Sequence, residues 1–113
     1  MKKQLLTLFF LAFIPVCLMA HAPKKVVVSY DAATSTVKVI VTHPVSNVNT
    51  HFVQSIVITV DGKEVKTFNE TKQENATTET VEVVLSGVKP GMTIEAVAKC
   101  NLMGSKKGKI AVK

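Results

Sequence analysis

From Lys24 onward, the apolar residues come in short runs that alternate with polar ones at a period of two, and no stretch carries the 3.6-residue period of a helix. Val37, Val39 and Val41 share one face of an extended segment, and Ile94, Ala96 and Ala98 share another. Valine, isoleucine and threonine dominate these runs, and their branched side chains suit a pleated surface. The pattern predicts strands near 25–30, 36–43, 52–60, 63–69, 78–86, 92–100 and 108–112. Between them stand turn signals. Asp61-Gly62 is a two-residue hairpin turn, Pro90-Gly91 a turn in which Gly91 supplies a positive φ, and Asp31 to Ser35 a polar turn. Asn69 to Thr78 lacks large apolar residues and is expected to be an exposed loop. About seven short strands in this rhythm predict an all-β fold, an Ig-like antiparallel β-sandwich or a closely related barrel.

The first segment reads as an address. Lys2 and Lys3 precede an apolar run from Leu5 to Met19, which has the length of a signal-peptide core and is short for a membrane span. A cut after Ala22 fits the A-x-A pattern but leaves Pro23 first; a cut after Ala20 leaves His21 first and is favoured. An uncleaved anchor and lipidation at Cys17 are the other readings, the second disfavoured by the bulk of Val16. The expected organisation is a signal peptide over 1–20 and one domain over 21–113. Location in the periplasm or outside the cell follows, with no membrane attachment after cleavage. The 93 residues of that domain suffice for one core.

Charge narrows the partners. Without Lys2 and Lys3 the domain holds 12 lysines against 8 acidic residues, a formal charge of +4, and the chain has no arginine. The planar fork that reads bases and phosphates is therefore missing, and nucleic acid is not expected as a partner. A mild positive field favours small anions. With Cys17 in the signal peptide, Cys100 is the lone thiol of the domain. An unpaired cysteine in an oxidising compartment pairs between chains, reacts, binds a metal, or packs as a small hydrophobe.

Strand parity supplies its company. His43 continues the face of Val37, Val39 and Val41, and Cys100 continues that of Ile94, Ala96 and Ala98. Two potential ligands thus sit at strand ends on the core side, where a rim metal site can be held by rigid elements. His21 and His51 complete the histidines of the chain. Thiolate and imidazole suit iron, copper or zinc, although no compact CxxC or HxxxH pattern is present.

The wording around these residues resembles the iron domain of desulfoferrodoxin and neelaredoxin, the superoxide reductases. His43-Pro44, His51-Phe52, the strand with Ile56-Val57-Ile58, and Cys100-Asn101-Leu102-Met103-Gly104 occur in the family's order. His21-Ala22-Pro23 is similar to the family's N-terminal H-x-P segment. The resemblance implies a mononuclear non-haem iron with Cys100 as axial ligand and His43, His51 and His21 as equatorial ones. It implies one-electron reduction of superoxide to hydrogen peroxide, with an unknown electron donor as partner. Met103 stands where the family's C-N-x-H-G has a further histidine, so the ligand set is incomplete. The His43–His51 spacing is longer than the family's, and Met19-Ala20 replace the family's Glu-Lys before the first histidine. Lys99, Lys106, Lys107 and Lys109 are either a substitute steering charge or a solvated basic loop.

Two other readings stay open. His43, His51, Cys100 and Met103 form the two-His, Cys, Met set of copper electron-transfer sites, although the cupredoxin pattern places a histidine between Cys and Met. Met103 as core filling is the simpler alternative. The third reading is a metal-free sandwich that serves as an interaction module. Asn101 is a candidate hydrogen-bonding partner for the thiolate, and Gly104 a turn residue. No hydrolase triad or phosphate-binding glycine loop appears.

Overall fold

The computed structural model describes residues 21–113; the signal-peptide reading of 1–20 lies outside them. Seven strands form: β1 (Lys25–Asp31), β2 (Thr36–Thr42), β3 (Val53–Val60), β4 (Lys63–Asn69), β5 (Thr78–Val84), β6 (Thr93–Cys100) and β7 (Ser105–Ala111). All pairings are antiparallel, in a three-stranded sheet of order β1-β2-β5 and a four-stranded sheet of order β4-β3-β6-β7. This is the Ig-like sandwich expected from the alternation.

The inner faces are those that parity predicts. Val37, Val39 and Val41 from one sheet, and Ile56, Ile58, Ile94, Ala96 and Ala98 from the other, have no exposed surface. Each fully buried valine or isoleucine contributes on the order of 1.5–3 kcal/mol relative to leaving it in water. The turns form as their residues require. Asp61 and Gly62 take φ of 49° and 84°, the paired positive values of a type I′ hairpin, and Val60 pairs with Lys63 across it. Gly91 has φ 93°, and the Met92 N–H donates to the Lys89 carbonyl at 3.1 Å, closing a type II turn.

Two departures bear on the site. β7 begins at Ser105, three residues before the predicted start, because Ser105 to Lys107 pair with Lys99 to Val97 as an edge strand. Their lysines face solvent, as charges on an edge do, and so the segment lacks the apolar alternation that marks a strand. The Asn69–Thr78 connection is not simply an exposed loop: Gln73 within it is 1% exposed.

Gly108 of β7 lets β1 close against the second sheet. A Cβ there would lie 2.1 Å from the Val26 carbonyl oxygen, a distance no side chain tolerates. Among the described residues, no helix is long and apolar enough to cross a membrane.

Candidate metal centre

Antiparallel pairing brings four chain segments to one end of the sandwich. β1 starts where β2 ends, with Lys25 opposite Thr42. β3 starts where β6 ends, with Val53 opposite Cys100. His43 follows β2, His51 precedes β3, Cys100 closes β6, and His21 leads into β1. A register shift between Val53 and Ser55 marks a bulge at Gln54. It turns Val53 inward as well as Ile56, so the His51 segment enters β3 with a core-facing residue opposite Cys100.

His43, His51 and Cys100 offer one ligand atom each, and these atoms lie within 4.8 Å of one another. His43 is 2% exposed and Cys100 1%. The His43 and His51 rings meet edge to face, with centroids 4.8 Å apart and planes at 90°. The His21 and His51 ring centroids are 5.4 Å apart. The N-terminal segment folds back to bring His21 here: the Lys24 N–H donates to the Thr42 carbonyl at 2.8 Å, and Ala22 packs against Gly104.

The ring nitrogens of the three histidines differ in their partners. His43 Nδ1 meets Gln73 Oε1 at 2.8 Å, and His43 Nε2 lies 2.8 Å from the His21 carbonyl oxygen. Both ring nitrogens of His43 therefore face acceptor oxygens, and a metal bound at Nε2 has to displace the His21 carbonyl. His21 Nδ1 and His51 Nε2 are shielded from solvent and have no hydrogen-bond partner. Orphaned buried nitrogens are costly in a folded protein, and a metal ion on His51 would satisfy its Nε2, whereas His21 stands beside the converging His43, His51 and Cys100 group rather than in it. Burial, and then the nearby charges of His43 and His21, push the His51 pKa below its ordinary 6.5, against a smaller opposing effect of the His21 backbone. The neutral imidazole, the form that binds metals, is thereby favoured. The residues fit a single soft or borderline ion such as iron.

The Cys100 sulfur meets Asn101 Oδ1 at 4.0 Å, the partner expected, and accepts a closer N–H from Leu102 at 3.3 Å. Asn101 also holds the His51 segment, accepting the Phe52 N–H at 2.8 Å and donating to the Thr50 carbonyl at 3.0 Å. Met103 does not fill the core: it is 42% exposed, beside Leu102 at 52%, at the tip of the turn between β6 and β7. That exposure gives the copper set no support. Lys99, Lys106, Lys107 and Lys109 are all exposed. Gln73 was not legible in advance, because nothing in its polar surroundings distinguishes an amide destined for burial. A surface cleft near Tyr30, Asp31 and Thr36 lies at the opposite end of the sandwich.

No family model matches the sequence, and no curated protein matches it. Solved structures do. The superoxide reductase (1Fe-SOR) from Giardia intestinalis superposes with a TM-score of 0.59 at 15% identity, over 81% of this chain and 97% of that one. A superoxide reductase in the oxidized state gives 0.59 at 20% identity, over 81% and 90%. A hypothetical protein from Pyrococcus horikoshii gives 0.59 at 20%, over 80% and 89%. The domain therefore has the fold of superoxide reductases, the fold that the His-Pro and Cys-Asn motifs implied. At one end of that fold stands the His43, His51 and Cys100 group.

Proposed function

We propose that this protein binds one mononuclear non-haem iron through His43, His51 and Cys100, with His21 as a further ligand, and reduces superoxide to hydrogen peroxide. The observation that carries the reading is the convergence of two imidazoles and one thiol within 4.8 Å in a superoxide reductase fold. His43, His51 and Cys100 would hold the iron, which would supply the one electron that with two protons turns superoxide into hydrogen peroxide, and a one-electron donor would be required to replace that electron. The chain's own residues prepare that chemistry. Cys100 brings the sulfur, which accepts the Leu102 N–H at 3.3 Å. His43 and His51 enter at right angles from opposite sheets. The domain's formal charge of +4 favours the approach of a small anion. Residues 1–20 support export before the domain acts.

The test is a stopped-flow mixing of reduced, iron-loaded protein with superoxide. The reading expects one hydrogen peroxide per superoxide consumed, no oxygen release, and loss of the reaction in Cys100→Ser. Superoxide decay at the rate of buffer alone, in protein that holds its iron, would refute the activity.

A further inference from the structure

Gln73 makes four hydrogen bonds with one carboxamide. Its Oε1 accepts from His43 Nδ1 at 2.8 Å and from the Val53 N–H at 3.2 Å. Its Nε2 donates to the His43 carbonyl at 2.8 Å and to the Asn75 carbonyl at 3.0 Å. A primary amide has two donor hydrogens and two acceptor lone pairs, so its capacity is fully used. The orientation is over-determined. Turned over, the amide would set its oxygen against two carbonyls and its nitrogen against the Val53 N–H.

That orientation fixes the ring beside it. An oxygen at 2.8 Å from His43 Nδ1 requires a proton on Nδ1, which leaves Nε2 as the nitrogen a metal can take. Without an ion that nitrogen is engaged by the His21 carbonyl oxygen at 2.8 Å, a contact that metal binding must replace. The same oxygen holds Val53, two residues after His51 and on the other sheet. One side chain therefore sets the tautomer of the first ligand and ties its strand to the segment that carries the second.

We infer that Gln73 is a positioning residue for the metal centre, selecting Nε2 of His43 as the ligand atom and holding His43 and His51 at the separation that one ion bridges. The inference rests on the proposed metal-binding role of His43. Partners of this kind on ligating histidines change metal affinity by roughly 10–100-fold.

The experiment uses the metal-free protein labelled with nitrogen-15, with Zn2+ alone as the probe. In the wild type, His43 Nδ1 should carry a proton both before and after Zn2+, and Nε2 should be the resonance that moves. An unprotonated Nδ1, or Zn2+ acting on Nδ1 in a protein that binds it, would overturn the role of Gln73 while leaving the metal site standing. Failure of the wild type to bind Zn2+ and iron alike would overturn both. Gln73→Leu should lower Zn2+ affinity by about 10–100-fold and mix the His43 tautomers. Gln73→Glu keeps an oxygen toward Nδ1 and the Val53 N–H but gives up donors to two carbonyls. It should lose stability yet keep Nδ1 protonated and restore most of the affinity. Equal affinities in wild type and Gln73→Leu would reduce Gln73 to a structural residue.

Discussion

Asn101 binds Phe52 in both directions, accepting the Phe52 N–H on Oδ1 at 2.8 Å and donating its own backbone N–H to the Phe52 carbonyl at 3.0 Å. With the bond from Nδ2 to the Thr50 carbonyl, the residue after Cys100 grips both neighbours of His51. Thiolate and imidazole are thereby held in register without any contact between Asn101 and an ion.

Asn101→Ala removes two side-chain hydrogen bonds at a partly buried position. The expected loss of stability is about 1–3 kcal/mol by urea unfolding, at roughly 0.5–1.5 kcal/mol for each bond. Metal affinity should fall as well, because His51 loses its tether. Unchanged affinity in a destabilised variant would mean that the His51 turn, closed by its own N–H to the Asn47 carbonyl at 3.0 Å, holds the ring unaided.

Gly104 is the other fixed point of this turn. It has φ 91°, and a Cβ there would stand 2.6 Å from Ala22 Cβ. Gly104→Ala should cost on the order of 1–3 kcal/mol in backbone strain and push the His21-Ala22-Pro23 segment off the site. The Lys24 amide, bonded to the Thr42 carbonyl, should exchange its hydrogen faster. Adding Ala22→Gly should recover part of the loss by clearing the clash; no recovery would place the cost in the φ angle alone.

Glu79 sets a pH dependence. Burial raises its pKa above the ordinary 4.5; the Glu74 N–H opposes that shift, and repulsion from Glu70 and Glu74 adds to it. The folded state therefore holds this proton more tightly than the unfolded chain. The favourable contribution is complete below the unfolded pKa and is lost as pH rises through the raised folded pKa. Glu79→Gln should be more stable than the wild type at pH 8, with the difference closing as pH falls toward 4. Thermal melts across that range check this, and a gap that widens in acid would contradict it.

Met103 separates the iron and copper sets. Because it is 42% exposed, Met103→Ala should leave stability within about 0.5 kcal/mol and metal content unchanged. Loss of a bound metal in that variant, read by elemental analysis, would bring the thioether back as a ligand.

How much of this was legible in the sequence follows the physics of each residue. Strands whose inner face is buried announce themselves by alternation, and so His43, just after β2, and Cys100, at the end of β6, are buried as parity required. The edge strand β7 has a solvated lysine face and hid its first three residues. The motifs around His43 and Cys100 indicated the fold. Gln73 and the clamp of Asn101 were beyond reach, because an amide reveals its partners only when distant segments meet: Gln73 binds across 30 residues, and Asn101 across 49 and 51. Met103 was placed by analogy with other sites, and its exposure follows from the tip of a tight turn.

Whether His43, His51 and Cys100 hold iron is decided by metal analysis of protein purified without oxygen, with an absorption spectrum taken before and after oxidation. The proposed site predicts one iron per chain and a thiolate-to-iron charge-transfer band on oxidation that Cys100→Ser abolishes. A folded protein that takes up no iron on reconstitution, or whose spectrum is the same with serine at position 100, would contradict it.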